Sequence, residues 1–417
     1  MLPQIALLAL FFMSAAAVTV RPWRISEGWW PIVAVAAALA IGAIPLAAAL
    51  RGFGSSLDVL AFFAGLLLLA AALRRTGVVD RVLDWLEEWS RGEPLRLLAG
   101  VALTTVAVTA LLSNDGAALV LAPAVLDRLQ RRGIGLTPYV LTMAFTANAA
   151  SALLPISNPV NLLILDRAHV DLPRYLVGVT PAALLGVTIT VLACLLLTGR
   201  DLAPGLPTPD GGRAPGRRAT PAARWVLGLS GLLVLTDVAF AVARLPIGPP
   251  TLVAGALATG LVWLASDSRE LPIGIGWSIL LMVAGFSVLA SGLAHSRWLA
   301  AMAHWFTSGG SAVVVFISTG LVTAGISGVI NNLPAALLVT AGLQAAHHHL
   351  GTLALPAIVG ADLGPNLAPF GSLSTILVLA AVRRRGKPLP LGRLWRLGLV
   401  VGTLALLPTL GVVALSR

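Results

Sequence analysis

The chain has 417 residues, 58% of them hydrophobic and only 11% charged, with a mean hydropathy of +0.92. A soluble globular chain carries about a quarter charged residues, so a soluble domain is excluded. The formal net charge of +11 then needs no nucleic-acid partner and belongs to loops facing anionic lipid.

The first twenty residues imitate a signal peptide, with an apolar run and Ala15-Ala16-Ala17. Arg21 and Arg24 follow the run instead of preceding it, which is the wrong polarity for a cleaved signal. A retained first helix with its N-terminus outside is the expectation. Further apolar segments fall at 31–50, 57–73, 95–112, 116–130, 138–165 and 175–198. A run of about twenty apolar residues crosses the hydrocarbon layer. Between 57–73 and 95–112, Asp80 to Trp89 is amphipathic and is predicted to lie along the interface, with 300–306 as its weaker counterpart. Cys194, the one cysteine, sits in an apolar run. It excludes a disulfide framework or thiolate cluster and reads as a small core residue.

A Pro/Gly/Arg-rich stretch at 199–223 reads as a cytoplasmic linker. Apolar segments then return at 224–243, 248–265, 272–293, 310–329, 334–346, 351–382 and 391–415, in the same order and lengths. Ala64-Gly65-Leu66 aligns with Ala284-Gly285-Phe286, and Trp85 with Trp305. Asn114-Asp115 corresponds to Asn331-Asn332, Asn148 to Asp362, Pro155 to Pro369, and Ser157-Asn158 to Gly371-Ser372. An internal repeat of this kind marks a secondary transporter.

Charge sets the topology. If 95–130 and 310–346 are re-entrant hairpins, one face collects every Lys and Arg except Arg51, Arg167, Arg174, Arg244, Arg297 and Arg417. By the positive-inside rule that face is cytoplasmic. The predicted fold is an all-α polytopic membrane protein built from two inverted repeats. Each has five transmembrane crossings, one re-entrant hairpin and a broken helix. The first repeat spans 1–198, the cytoplasmic linker 199–223 and the second, inverted repeat 224–417; both termini are extracytoplasmic. Treating both hairpins as full spans moves Arg128, Arg131 and Arg132 outside and fits worse.

Two hairpin tips and two helix breaks carry the polar chemistry. The tips are Ser113-Asn114-Asp115-Gly116 and Asn331-Asn332. The breaks are Pro155-Ile156-Ser157-Asn158-Pro159-Val160-Asn161 and the stretch from Asp362 through Asn366, Ser372 and Ser374 to Thr375. Proline and glycine free backbone groups there, and amides and hydroxyls both donate and accept, which suits an oxygen-rich solute. An amide or hydroxyl in a membrane bundle also serves simply to hold helices together, and Thr146, Asn148 and Ser151 are open to either reading. A carboxylate at membrane depth costs at least ~2.5–3.5 kcal/mol, so Asp115 and Asp362 are read as proton carriers. Asp237 is intramembrane but outside the repeat pattern; Asp58 reads as a helix N-terminal charge. His347-His348-His349 reads as an outer polar loop in preference to a metal site, and Arg383-Arg384-Arg385-Gly386-Lys387 as a topology anchor.

At these residues the chain resembles the arsenite/antimonite efflux permeases (arsenical pump membrane proteins), within the ion-transporter superfamily of anion permeases. The resemblance rests on Ser113 through Leu119, Ser157-Asn158-Pro159-Val160-Asn161, Asn331-Asn332-Leu333-Pro334, and above all Gly360-Ala361-Asp362-Leu363-Gly364-Pro365-Asn366 with Pro369-Phe370-Gly371-Ser372-Leu373. It implies ten crossings plus two hairpins and export of trivalent arsenic or antimony coupled to proton influx, in the bacterial inner membrane. The chain departs from the family pattern at Ala361, where cysteine is common, at Asn366, where lysine is common, and at Asn148-Ala149, where Asp-Thr is common. Related branches move dicarboxylates, silicate or Na⁺ against H⁺, and these are the alternatives.

The residues expected to contact substrate are Asn114, Asp115, Ser157, Asn158, Asn161, Asn331, Asn332, Asn366, Ser372, Ser374 and Thr375, with Asp115 and Asp362 as proton carriers. No cofactor or resident metal is expected. The partners are arsenite or antimonite, protons, membrane lipid and, optionally, a cytoplasmic ATPase subunit. The chain itself has no nucleotide-phosphate loop, zinc-protease motif or hydrolase elbow, so a transporter is expected and not an enzyme.

Overall fold

The computed structural model describes residues 2–20, 25–202, 220–265, 277–294, 296–308, 310–346, 350–368, 371–383, 385, 389 and 391–416. Most of the linker (203–219), His347 to His349, Pro369 and most of the basic run after Arg383 lie outside these residues. The described chain is helical, with no strand among its residues. The first half comprises α1 (Leu2–Val20), α2 (Trp29–Ala40), α3 (Leu46–Gly54), α4 (Leu57–Thr76), α5 (Val78–Ser90), α6 (Pro94–Arg131), α7 (Thr137–Ala150), α8 (Pro159–Ala168), α9 (Leu172–Gly178) and α10 (Thr180–Thr198). The second comprises α11 (Ala222–Val242), α12 (Gly248–Leu264), α13 (Ser278–Leu293), α14 (Arg297–Thr307), α15 (Ala312–Ile330), α16 (Asn332–Ala345), α17 (Leu350–Leu363), α18 (Leu373–Arg383) and α19 (Leu391–Leu415). Among the described residues, six helices pass a length-and-hydropathy test for crossing a membrane, or seven if α13 and α14 count as one bent span. The remaining crossings are shorter apolar helices or are made in two pieces, α7 with α8 and α17 with α18.

The 38 residues of α6 would stretch ~57 Å if straight, far longer than the bilayer core. They do not run straight. Gly100, on the first arm, lies against Leu86 of α5, and Arg128, on the second arm, donates to Asp84 of the same short helix at 2.6 Å. Both ends meet one 13-residue helix, so the segment turns back. The turn is at Ser113, whose backbone takes φ 70°, ψ 163°. The second hairpin repeats the design: Ser318 Oγ of α15 donates to the Phe306 carbonyl of α14 at 2.6 Å, while Gly342 of α16 packs on Leu299 of α14. Its turn is Asn331, at φ 81°, ψ 151°. The full-span alternative is thereby excluded.

Amphipathic α5 differs from its expected pose in one respect. Leu83 and Leu86 are buried and the stacked Trp85 and Trp89 are exposed, as suits an interfacial helix. Its acidic face, however, is not left to water. Asp84 and Glu87 pair with Arg128, and Glu87 also pairs with Arg132. Ion pairs at an interface spare half-buried arginines an uncompensated desolvation cost. Arg385 clamps the same arm from the other side through Asp127 and the Pro123 carbonyl.

The halves interlock by exchange. Gly65 of α4 sits so close to α12 that a Cβ there would stand 2.2 Å from the Thr251 carbonyl oxygen, and one at Gly285 of α13 would stand 2.5 Å from Pro31 of α2. Gly65 and Gly285 are equivalent, and so are Thr251 and Pro31, at the same spacing. Each half's third crossing therefore packs on the other half's second. Small residues at such seams let backbones approach where lipid supplies no hydrophobic drive. Asp58 is a helix N-terminal charge twice over: it lies in the first turn of α4 and also accepts the Gly248 N–H at the start of α12 at 2.8 Å. Cys194 is fully buried.

Candidate functional site

The two helix breaks are capped across the repeat. Asn148 lies in the last turn of α7 and Asp362 in the last turn of α17, each followed by a break that leads into the next helix. Asn148 reaches into the second break: its Oδ1 accepts from Ser372 Oγ at 2.8 Å and Ser374 Oγ at 3.1 Å. Its Nδ2 donates to Thr375 Oγ1 at 3.1 Å and to Asn366 Oδ1 at 2.9 Å. Asp362 reaches into the first break, where Asn158 Nδ2 donates to its Oδ1 at 2.5 Å. Ser151 and Asn161 crowd the same carboxylate, yet Asp362 Oδ2 has no hydrogen-bond partner. Asn158 and Asn161 stand to Asp362 as Ser372 and Thr375 stand to Asn148, with identical spacing. All of these groups are buried.

The local reasons are legible. Asn158 is the N-cap of α8, accepting from the Val160 N–H at 3.2 Å, and Pro159 occupies the first helical position, where its missing N–H costs nothing. Asn161 Nδ2 bridges the Ser151 carbonyl (2.9 Å) and Tyr175 Oη (3.3 Å), while Tyr175 donates to the Ala152 carbonyl. Asn366 Nδ2 donates to the Phe145 carbonyl at 3.1 Å. In the second break, Ser372 Oγ accepts the Thr375 N–H.

Each hairpin abuts the break of its own half. Ser157 Oγ donates to the Ala110 carbonyl on the first arm of α6 at 3.1 Å. In the second half the Asn332 N–H donates to the Gly371 carbonyl at 2.9 Å. At the tips, Asn114 Oδ1 accepts the next residue's N–H, that of Asp115, and Asn332 Oδ1 accepts that of Leu333. Ser113 Oγ accepts from Gly116 and Asn331 Oδ1 from Leu333. These bonds and the shared backbone turn equate Ser113 with Asn331 and Asn114 with Asn332. The expected pairing of Asn114-Asp115 with Asn331-Asn332 is one residue out of register; Leu333 stands where Asp115 stands. A non-glycine residue in this φ/ψ region costs about 1–3 kcal/mol and persists only when its surroundings over-determine it.

Thus Asn158, Asn161, Asn366, Ser372, Ser374, Thr375 and Asp362 are joined in two hydrogen-bonded groups, with Ser157 and Asn332 tying a hairpin to each. Asn114, Asp115 and Asn331 make no hydrogen bond to the other candidate side chains. Asp115 Oδ1, Asn161 Oδ1, Asp362 Oδ2 and Asn331 Nδ2 are buried without a partner. Asp115 feels the charge of Glu27, which is held by Ser278 Oγ at 2.6 Å. Asn148, Ser151 and Tyr175 also build the site; the repeat position of Asn148, opposite Asp362, is the signal that finds it. Asp237 lies elsewhere, bonded to Thr251 Oγ1 at 3.1 Å. No Lys or Arg side chain bonds any of these polar groups, and no cluster of three metal-ligating side chains occurs among the described residues.

The family model described as "Citrate transporter" matches residues 8–364. The chain belongs to this family. It lies within the ion-transporter superfamily, and the chain is a membrane transporter by that membership. It is 28% identical over 364 residues to an uncharacterised transporter of Mycobacterium tuberculosis, covering 85% of each chain. It is 26% identical over 430 aligned positions to the arsenical pump membrane protein of Escherichia coli, covering 98% of this chain and 97% of that one. The Yersinia enterocolitica protein of the same name is 26% identical over 414 positions, covering 95% of each. Among solved structures, the YdaH transporter of Alcanivorax borkumensis, described as having an unusual topology, matches with a TM-score of 0.57 at 17% identity, covering 99% of this chain and 98% of that one. That likeness carries the fold.

Proposed function

We propose that the chain exports trivalent arsenic or antimony as the neutral hydroxide, in exchange for inward-moving protons. One observation carries the reading: the break-and-tip centre holds amides, hydroxyls and two carboxylates but no basic side chain, while three buried acceptor oxygens and one amide donor have no partner. Unpaired buried polar atoms cost about 1–3 kcal/mol each, so a ligand able to satisfy them is favoured. Arsenous acid is a trihydroxide that is uncharged at pH 7 and offers three O–H donors. A citrate-like polyanion would meet Asp115 and Asp362 with repulsion and find no cation to offset it.

In this reading Asp115 and Asp362 carry the proton, and Asn114, Asn161, Asn331 and Asn366 with Ser372, Ser374 and Thr375 present donors and acceptors to the solute. The absence of a three-thiolate site suits release, since Cys194 is the one cysteine of the chain. The repeats 1–198 and 224–417 with a cytoplasmic linker at 199–223, both termini outside, and residence in a bacterial inner membrane complete the proposal; a cytoplasmic ATPase subunit is an optional partner.

The test is transport in everted vesicles offered arsenite, antimonite, citrate, silicate or Na⁺ separately. Accumulation of arsenite that collapses with the proton gradient is the expected result. Uptake of citrate or silicate without arsenite, or Na⁺/H⁺ exchange alone, would overturn the substrate assignment; arsenite uptake indifferent to the gradient would overturn the coupling.

A further inference from the structure

At the end of the bundle where α9, α15, α17 and α19 converge lies a cavity of about 960 Å³, at the upper end of the range for a ligand site, about 300–1,000 Å³. Its walls include Val177, Val315, Phe316, Leu353 and Val413, and Arg174 stands among them. Val177 is 69% exposed, so one wall of the cavity lies at the surface of the bundle. Gly178 keeps the floor low, since a Cβ there would come within 2.9 Å of Leu355.

Arg174 is exposed, and its guanidinium has no acidic partner among the described residues. The nearby carboxylate is spoken for: Asp171 caps α9 through the Arg174 backbone N–H at 3.2 Å and gives its other oxygen to Arg244 at 3.0 Å. Two arginines and one aspartate leave a net positive charge at the mouth of an apolar groove. That pairing of a fixed cation with a greasy slot matches a ligand with an anionic head and a hydrocarbon tail. In a membrane protein, such a ligand is at hand.

We propose that this groove holds an acyl chain of an anionic phospholipid whose phosphate is bound by Arg174. Guanidinium is suited to phosphate because its parallel N–H donors match two phosphate oxygens. The groove joins the second hairpin (α15) to α17 and α19, so a seated lipid also fills a gap between elements that carry the polar centre.

The experiment is native mass spectrometry of the purified full-length protein, delipidated and titrated with phosphatidylglycerol or phosphatidylcholine. Wild type is expected to bind one phosphatidylglycerol in preference to phosphatidylcholine. Arg174→Gln should weaken phosphatidylglycerol binding about tenfold, the loss of a charge-assisted contact, and leave phosphatidylcholine unchanged. Val315→Trp, which fills the slot, should lower binding of both. Equal binding of the two lipids by wild type, or unchanged phosphatidylglycerol binding by Arg174→Gln, overturns the proposal. So does a second copy of the chain in place of the lipid. Arg174 is a surface residue, so its variant decides the matter even if Val315→Trp does not fold.

Discussion

Asn148 and Asp362 hold the same place in the two repeats, and each closes its hydrogen bonds on the helix break of the opposite half. Asn148 engages Ser372, Ser374 and Thr375, and Asp362 engages Asn158. The breaks are therefore cross-braced: each adds bonds from the opposite half to those it makes within its own. The difference between the two positions is one of charge. The amide has all its polar atoms satisfied, while the carboxylate keeps Oδ2 free. The asymmetry places a fully bonded amide on one side of the centre and a carboxylate with an unpartnered oxygen on the other.

Removing the brace should destabilise the fold. Asn148→Ala leaves Asn366 Oδ1 without its buried donor and takes one acceptor from Ser372 and Ser374, which keep only their bonds to each other and to Thr375, a cost of about 1–3 kcal/mol. Thr146 provides the control, because its hydroxyl is buried without a partner and Thr146→Val removes nothing that is bonded. Thermal unfolding in detergent should show a clear drop for Asn148→Ala and little or no drop for Thr146→Val. Equal effects would mean that the crossed bonds contribute nothing special.

The crossed packing makes its own prediction. A methyl group at Gly65 meets the Thr251 backbone, which cannot rotate aside as a side chain can. Gly65→Ala should cost about 1–3 kcal/mol through overpacking. Gly228 of α11 has nothing within 4 Å, and Gly228→Ala should gain about 0.5–1 kcal/mol from helix propensity. Opposite shifts in melting temperature are expected for these two chemically identical changes.

Proton coupling is tested by Asp115→Asn and Asp362→Asn. Asparagine at 362 can still offer an oxygen to Asn158 Nδ2, so the brace survives while titration is lost. At 115 the retained neighbours are Asn114 and Glu27, and the change removes a carboxylate without altering shape. Each variant should reach the membrane folded and lose gradient-driven efflux of arsenite in everted vesicles. Wild-type, pH-dependent rates in both single variants would rule out either as an essential carrier and turn attention to Asp237, which sits bonded to Thr251.

Much of this was legible in the sequence because repeats leave marks in residues that backbones demand. Gly65 and Gly285 are small where two helices nearly touch, and Asn148, Asn158 and Asn161 keep the spacing of Asp362, Ser372 and Thr375. The hairpin register slipped by one because consecutive polar residues at each tip look interchangeable; only the turn at Ser113 and Asn331 fixes which is which. The ion pairs between α5 and α6 were hidden for a different reason. An amphipathic pattern shows which face is charged, but not that the charge meets Arg128 and Arg132 instead of water. The exchange between halves was equally out of sight, since its partners lie on opposite sides of the linker.

The sidedness of the whole arrangement follows from charge and is open to labelling. The native thiol, Cys194, is fully buried, so it should stay silent toward an impermeant thiol reagent and need not be removed. A cysteine at Ser308, at the end of α14, is placed outside by the distribution of arginines, and so is one at His348. A cysteine at Thr208, in the Pro/Gly/Arg-rich linker, is placed in the cytoplasm. In intact cells the first two should react and the third should react only after permeabilisation. If Thr208→Cys labels from outside while Ser308→Cys does not, the protein is inserted the other way up, and the direction of the proposed proton movement must be reassigned with it. If all three label together, the linker lies outside and the two halves are not inverted at all.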